Sequence, residues 1–222
     1  MRNRGIIWDV DGTLVDTGEL HFDAWEKLAA EIGMPFTRAD FAATFGRRNP
    51  EILRYLFGDR FNDAEIAEIG ERKEGYYREE AKRGVSLLPG VQTLLDAFRE
   101  RGIAQAIGSS APRGNLELIL DLTRSRDYFT AVVAMEDTQR GKPDPQVFLT
   151  AAAKLGVEPS QCVVFEDAVA GVQAAKAGGM KCVAVRFVGH HGEDALRDAG
   201  ADRVVGSLEE IMAAEVLKLL DQ

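Results

Sequence analysis

The hydrophobic and polar positions of the chain form two patterns. From about residue 86 onward, short apolar runs alternate with segments whose apolar residues recur at helical spacing. Together with one run near the start, they predict strands at 5–8, 103–107, 131–134, 162–165, 182–187 and 203–205. The other segments predict helices at 91–101, 112–122, 145–155, 168–177 and 194–198, and Ser207 with Glu210 predicts a capping box for a last helix. This alternation predicts a doubly wound α/β fold, a parallel sheet with helices on both faces.

Residues 17–85 show helical spacing throughout and carry no strand pattern. Helix starts inside this block are predicted by three capping signals: Thr37 with Asp40, Asn49 with Pro50, and Asn62, which precedes a long charged segment reaching about Arg83. We therefore predict an inserted helical cap domain, 17–85, on an α/β core domain formed by 1–16 and 86–222. Because ligands of open α/β sheets bind at the carboxyl ends of the strands, the cap is expected to cover the site.

The first predicted strand ends in two aspartates, Asp9 and Asp11. Successive strand residues point to opposite faces, so both carboxylates are expected on one side. Gly12 permits a tight turn that brings backbone amides close to an anion. Two carboxylates this close repel each other, and a divalent cation with oxygen ligands, magnesium above all, relieves that repulsion. The alternative, a surface turn with two solvated aspartates, leaves the buried run before them unexplained.

Polar residues also follow three later strands. Ser109 and Ser110 lie between a strand and a helix, where they either bind phosphoryl oxygens or cap the helix. Lys142 is held between a glycine and a proline, which favours neutralisation of phosphate and carboxylate charge over a solvated side chain. Glu166 and Asp167 form a second acidic pair that suits a magnesium site, since helix capping by Asp167 does not explain Glu166.

Composition and charge limit the classes of molecule that the protein is expected to bind. The 222 residues carry a formal net charge of −9, which argues against a nucleic-acid backbone but leaves room for a small phosphorylated metabolite at a locally positive site. No apolar run approaches the roughly 20 residues that span a bilayer, and Asp9 interrupts the first apolar segment too early for a signal peptide. Cys162 and Cys182 both open apolar runs and are expected to be reduced core thiols, so we predict a cytoplasmic protein.

The four polar positions resemble, in order, the four motifs of the haloacid dehalogenase (HAD) superfamily. The first is Asp9-Val10-Asp11-Gly12-Thr13, continued by Leu14-Val15-Asp16-Thr17, and the resemblance covers essentially the whole chain. It implies that Asp9 is a nucleophile that forms an aspartyl phosphate and that Asp11 is the general acid/base. It further implies Mg²⁺ at Asp9, Asp167 and the Asp11 carbonyl, with Glu166 as a direct or indirect ligand. Ser109, Ser110 and Lys142 would hold the phosphoryl oxygens.

Within the superfamily the chain resembles the branch with a helical cap, which includes β-phosphoglucomutases and phosphoglycolate and sugar phosphatases. The stretch Leu20-His21-Phe22-Asp23-Ala24-Trp25 carries this resemblance, and His21 fits either a residue that helps position Asp11 or a core-facing helix residue. The mutase has a phosphate-gripping Arg where this chain has Asn49, preceded by Arg47 and Arg48. Lys73 fits either the mutase's cap lysine or a solvated charge.

The resulting prediction is a magnesium-dependent phosphatase acting on a small phosphorylated metabolite, a sugar phosphate above all, as a monomer or weak dimer. The first alternative is a β-phosphoglucomutase-type mutase. Dehalogenases of the superfamily lack the second aspartate, whereas Asp11 is present, and phosphonatases use a cap lysine, for which Lys27 is a candidate. The remote alternative is a phospho-acceptor signalling module of the receiver type, which is shorter and has no helical insertion.

Overall fold

The computed structural model describes residues 3–222. Within that range one sheet of six parallel strands runs in the order β3-β2-β1-β4-β5-β6. The strands are β1 (Gly5–Trp8), β2 (Ala104–Gly108), β3 (Ala131–Val133), β4 (Cys162–Glu166), β5 (Lys181–Val185) and β6 (Arg203–Val205). The first strand is central, and the strand order reverses direction between β1 and β4, which is where open α/β sheets bind ligands. The predicted α/β fold class is confirmed.

The α-helices of residues 3–222 form two groups: the first four make a separate block, and the other six cover both faces of the sheet. They are α1 (Gly18–Glu31), α2 (Arg38–Thr44), α3 (Asn49–Phe57), α4 (Asp63–Ala81), α5 (Val91–Glu100), α6 (Arg113–Thr123), α7 (Gln146–Leu155), α8 (Val169–Ala177), α9 (Glu193–Asp198) and α10 (Ala213–Lys218). Alternate residues of β1 serve opposite layers: Ile6 and Trp8 pack in the cluster that includes α5, α6 and α10, while Ile7 packs with α7 and α8. None of the helices in residues 3–222 is long and apolar enough to cross a bilayer.

The helices α1–α4 lie between β1 and α5 in the sequence and have an apolar cluster of their own, rich in aromatic rings. Its members include Phe22, Trp25, Phe41, Phe45, Ile52 and Ile69. Tyr77 and Ala81 at the end of α4 pack instead with the cluster around Trp8, so the helical block is fastened to the sheet layer. The division at residues 17 and 85 remains a prediction.

Two predicted caps differ from the structure. Asn49 is the first residue of α3 and Arg48 is its N-cap, because the Asn49 amide is engaged by Glu74 instead of the helix terminus. Ser207 accepts a hydrogen bond from the Glu209 amide and caps only a short 3₁₀ turn, and α10 begins several residues later at Ala213. The capping boxes at Thr37 and Asn62 are confirmed. So are the two core cysteines, which are buried free thiols among the described residues.

Candidate active site

The register of the three central strands brings the predicted polar residues to one edge. Trp8 lies beside Ile107 on one neighbour and Phe165 on the other, and its ring stacks on Phe165 at 4.2 Å. The residues that follow this row are Asp9, Gly108 and Glu166. Since strands end together where they pair in register, buried apolar packing delivers all three strand ends to the same place.

Three carboxylates meet at this edge. Asp9, Glu166 and Asp167 are buried, and each offers an oxygen within 4.8 Å of the others. Two glycines allow this approach: a Cβ at Gly12, which has φ +84°, would overlap the Asp167 carboxylate, and a Cβ at Gly171 would overlap Glu166. Among the residues described, Asp167 Oδ2 is buried without a hydrogen-bond partner. A buried carboxylate oxygen left without a donor, in an all-oxygen cluster, fits a hard divalent cation.

Lys142 is the cation of this cluster. Its Nζ donates to Asp9 Oδ1 and to Glu166 Oε1, both at 2.6 Å, and only 2% of the residue is exposed. Burial disfavours the charged ammonium, but Asp9 and Glu166 outweigh it and raise the pKa of Lys142. The other oxygen of Glu166 accepts from the backbone amides of Asp167 and Ala168 at 2.7 and 2.6 Å. Each oxygen of Glu166 therefore has a protein donor, which makes this carboxylate an anchor for Lys142.

One ammonium does not balance three carboxylates. Burial, followed by the charge of Glu166, raises the pKa of Asp9 to about 8 although Lys142 opposes the shift. Burial, with Glu166 and Asp9 as neighbours, also raises the pKa of Asp167 well above its ordinary value. A divalent cation at this cluster would supply the missing positive charge and favour the ionised form of Asp9.

Asp11 is oriented towards the helical block. Its Oδ1 accepts from Thr17 Oγ1 at 2.6 Å and lies 3.2 Å from His21 Nε2, with Tyr77 Oη at 3.4 Å. Burial alone would raise the pKa of Asp11, but His21 and Thr17 with Lys73 outweigh it and hold it at about 2. Asp9 and Asp11 both line the cavity beside them, and their environments push the two pKa values apart.

His21 and Lys73 form a buried hydrogen-bonded pair next to Asp11. The Lys73 ammonium lies 2.6 Å from His21 Nδ1, and the His21 ring stacks on Tyr77 at 4.1 Å. An ammonium can only donate, so Nδ1 is the acceptor and Nε2 carries the hydrogen that faces Asp11. Lys73 is 2% exposed, so the expectation of a solvated charge is wrong: α4 turns it inward against α1.

The serines and the cap residues separate into two groups. Ser109 and Ser110 line the cavity, and Ser109 Oγ accepts from the Ala111 amide at 3.1 Å. Arg47 and Asn49 line it from the opposite side. Arg48 instead donates to the carbonyls of Thr138 at 3.1 Å and Arg140 at 2.7 Å, so its guanidinium is held by the loop that carries Lys142.

Several polar residues of the site gave no sequence signal. Glu74 is buried beside Lys73, and Asn115 on α6 donates to it, yet both sit in segments that read as ordinary helix. Tyr77 follows Lys73 by four residues, which places the two side chains on one face of the helix. This spacing is the one sequence signal that could have indicated that Lys73 and Tyr77 lie together. Lys27, the candidate for a phosphonatase lysine, is exposed and lies 3.8 Å from the Tyr76 ring.

The cavity between strand ends and helical block measures about 550 Å³, its open mouth included. Its floor is formed by Asp9, Asp11 and the Ser109–Pro112 stretch, and its roof by aromatic and polar residues of α1–α4. Volumes of this size hold small molecules.

Comparison with known proteins identifies the family to which the chain is similar. The family model described as haloacid dehalogenase-like hydrolase matches residues 6–185. The chain is 36% identical over 189 residues to the β-phosphoglucomutase of Bacillus subtilis (strain 168), covering 82% of this chain and 83% of that protein. It is 33% identical over 187 residues to the fructose-1-phosphate phosphatase of Escherichia coli (strain K12), covering 84% and 98%.

The fold agrees with a solved relative. The crystal structure of β-phosphoglucomutase from Clostridium difficile matches with a TM-score of 0.89 at 25% identity, over 99% of this chain and 97% of that one. The relatives in sequence include both a sugar-phosphate phosphatase and a phosphomutase. With its carboxylates, lysine and serines gathered at the ends of parallel strands, this chain is an enzyme that belongs to the haloacid dehalogenase-like hydrolases.

Proposed function

We propose that the protein is a magnesium-dependent phosphatase that hydrolyses a small phosphorylated metabolite, a sugar phosphate, through an aspartyl phosphate on Asp9. The observation that carries the proposal is the position of Asp9. Its carboxylate accepts a hydrogen bond from Lys142 and belongs to a cluster in which Asp167 Oδ2 has no described partner. It also lines the cavity, together with Asp11 and Ser109. Phosphoryl transfer needs such a set: an in-line nucleophile, charge neutralisation and a proton donor.

In the first step an Asp9 oxygen attacks phosphorus, and the bond between phosphorus and the ester oxygen breaks. Mg²⁺ at Asp9, Asp167 and the Asp11 carbonyl would neutralise charge shared by the nucleophile and the phosphoryl group. Lys142, anchored by Glu166, offsets the same charge from the protein side, and Ser109 and Ser110 supply donors to the phosphoryl oxygens.

Asp11 donates a proton to the leaving group in the first step and accepts a proton from water in the second. With a pKa of about 2 it is ionised at neutral pH in the unliganded protein, so it carries no proton before the substrate binds. The negative charge of a bound phosphate raises the pKa of an adjacent carboxyl, which favours the proton that Asp11 donates to the departing oxygen. After departure Asp11 takes a proton from the water that attacks phosphorus and releases Asp9. His21 and Lys73 hold its orientation.

The proposed cap domain, residues 17–85, would exclude bulk water and select the leaving group. The roof of the cavity comes entirely from these residues, through side chains such as Trp25, Phe45 and Asn49. Excluding water strengthens each electrostatic contact to the phosphoryl group. Arg47 and Asn49 are proposed to contact the leaving group, whereas Arg48 is proposed to fix the cap on the core.

A mutase is the second candidate, favoured by the similarity to the B. subtilis enzyme. A mutase must rebind a bisphosphate, which calls for a cation at the far end of the cavity. Asn49 stands where the mutase has its phosphate-binding Arg and offers only an amide, whose Nδ2 already donates to Glu74 Oε1 at 2.7 Å. We therefore favour hydrolysis.

The test is a screen of phosphorylated sugars and polyols with Mg²⁺, measuring released inorganic phosphate, with Asp9→Asn as the inactive control. Phosphorus NMR on β-glucose 1-phosphate with a bisphosphate primer separates the two candidates. Free phosphate as the main product supports the phosphatase, and a dominant 6-phosphate signal overturns it. Autophosphorylation without steady turnover of any ester would instead indicate a signalling module.

A further inference from the structure

Glu74 is a buried carboxylate in the cavity roof. It is 2% exposed and lines the cavity beside Lys73 and Asn49. Its Oε1 accepts from Asn49 Nδ2 at 2.7 Å and from Lys73 Nζ at 3.0 Å, and its Oε2 accepts from Asn115 Nδ2 at 2.5 Å. Arg78 holds Asn115 in this orientation by donating to its Oδ1 at 3.1 Å.

This carboxylate is charged. Burial raises the pKa of Glu74, but Lys73 and the hydrogen bonds from Asn115 and Asn49 outweigh it, and the net pKa is lowered. Lys73 is correspondingly occupied, since its ammonium is shared between Glu74 and His21 Nδ1. The charges of Lys73 and Glu74 therefore cancel in the buried part of the roof. The Lys73 ammonium is already engaged by protein atoms.

A second phosphate on the leaving group would meet this carboxylate. The Asn49 amide and the Lys73 ammonium already donate to Glu74, and the carboxylate offsets the charge of Lys73, so neither donor is free to bind an incoming anion. Hydroxyl groups are compatible with the same wall, because a hydroxyl can donate to the remaining lone pairs of Glu74. Arg47 lies further out: it is half-buried, and its guanidinium lies 5.3 Å from the ring of Tyr55, which is 60% exposed.

We propose that Glu74 is a specificity-determining residue that excludes esters carrying a second phosphate and selects phosphate monoesters of neutral sugars and polyols. The inference rests on the proposed function, since it assigns the leaving-group end of that site. It also gives a reason for hydrolysis over mutase chemistry, because a bisphosphate intermediate that left the site would not be held on return.

The test measures binding, so that it does not depend on turnover. In an Asp9→Asn background with Mg²⁺, titration calorimetry compares β-glucose 1-phosphate with β-glucose 1,6-bisphosphate. With Glu74 present, we expect the bisphosphate to bind at least about tenfold more weakly, a modest value for a like-charge contact. Glu74→Gln, which keeps the shape but frees the charge of Lys73, should reduce this ratio by about tenfold.

Two further variants make the result specific. Lys73→Met removes the main cation that lowers the pKa of Glu74, so in this variant the discrimination should rise with pH more steeply than in the parent, and this change remains measurable if Glu74→Gln does not fold. Glu68→Gln on the same helix, whose side chain is exposed, should leave the ratio within about twofold. Arg47→Gln should not reverse the preference.

The outcomes separate the two hypotheses. Equal affinities for both esters, or a ratio unchanged by Glu74→Gln and Lys73→Met, would overturn the role of Glu74 while leaving the phosphatase proposal intact. A bisphosphate preference that disappears in Arg47→Gln would assign selection to Arg47 and likewise overturn it. If neither ester binds any variant, this inference and the proposed substrate class fail together.

Discussion

Lys142 Nζ lies 2.6 Å from Asp9 Oδ1, so the proposed nucleophile is held by a cation that is itself buried and anchored by Glu166. Lys142→Ala removes charge stabilisation where negative charge builds up in the transition state, and such a loss costs about 3–4 kcal/mol. We expect kcat to fall by about 10²–10³-fold on a small generic ester.

Lys27→Ala is the matched control, because Lys27 is exposed and stacks on Tyr76. It should retain kcat. A large loss in Lys27→Ala with no loss in Lys142→Ala would indicate imine chemistry at the cap and contradict the proposed mechanism.

The metal-free protein should lose stability as pH rises. The pKa of Asp9 is raised from 3.8 to about 8 in the folded state, so between these values the folded state binds a proton that the unfolded state has lost. The contribution is present below pH 3.8 and is lost as pH rises towards 8. Thermal unfolding in chelator, measured from pH 5 to 8, should show Tm falling.

Mg²⁺ should flatten this dependence, since a bound cation stabilises the ionised carboxylate. Asp9→Asn should flatten it in chelator as well. A Tm in chelator that rises steadily from pH 5 to 8 would mean that the carboxylate cluster is not under the charge strain inferred here.

Asp167 is proposed to link stability to metal binding. Its Oδ2 has no partner in the part of the chain described, and burial with two carboxylate neighbours raises its pKa. Asp167→Asn removes like-charge repulsion, so Tm in chelator should rise by a few degrees, whereas the Tm increase caused by millimolar Mg²⁺ should disappear.

Activity should depend on the metal ion that Asp167 is proposed to bind. Full activity in excess chelator would defeat the metal assignment, and calcium should inhibit, because its longer bonds and higher coordination misplace Asp9. Asp137→Asn, at the exposed end of a 3₁₀ turn, is the control and should leave the Mg²⁺-induced Tm shift intact.

Asp11→Asn should split the two steps of the reaction. An aryl phosphate has a leaving group that departs with little protonation, so the first step survives, while the second step slows for every substrate. General acid/base help is typically worth about 10²–10⁴-fold. We expect a burst of aryl alcohol of up to one equivalent, followed by slow turnover, with phosphate trapped on Asp9 and detected by mass spectrometry after an acid quench.

An alkyl sugar phosphate serves as the internal control for that variant, because its first step should fail as well and no burst should appear. Equal slowing of both steps with the aryl ester, without trapped phosphoenzyme, would remove the dual role assigned to Asp11.

The features that could be predicted from the sequence are those that a local pattern of residues determines. The run Gly5–Trp8 is apolar on both faces, so a buried central strand and the delivery of Asp9 to its end follow from periodicity. Lys142 and the Glu166–Asp167 pair were found because they follow other such runs. Burial of Lys73 and Glu74 was not predictable, since the charged α4 gives no local sign of its partners on α1 and α6. The direction of Arg48 likewise depends on a loop ninety residues away.

The contact between Arg48 and the loop of Thr138 and Arg140 limits how this enzyme could be altered. Arg140 precedes Lys142 by two residues, and Gly141 between them donates to Glu51 of α3 at 3.2 Å. The start of α3 and the lysine loop therefore form one hydrogen-bonded unit. Substitutions at Arg47, which is proposed to contact the leaving group, are free of this unit, whereas those at Arg48 or Glu51 would disturb the loop of Lys142 for every substrate. Divergence towards new leaving groups is expected to accumulate at Arg47 and to avoid Arg48 and Glu51.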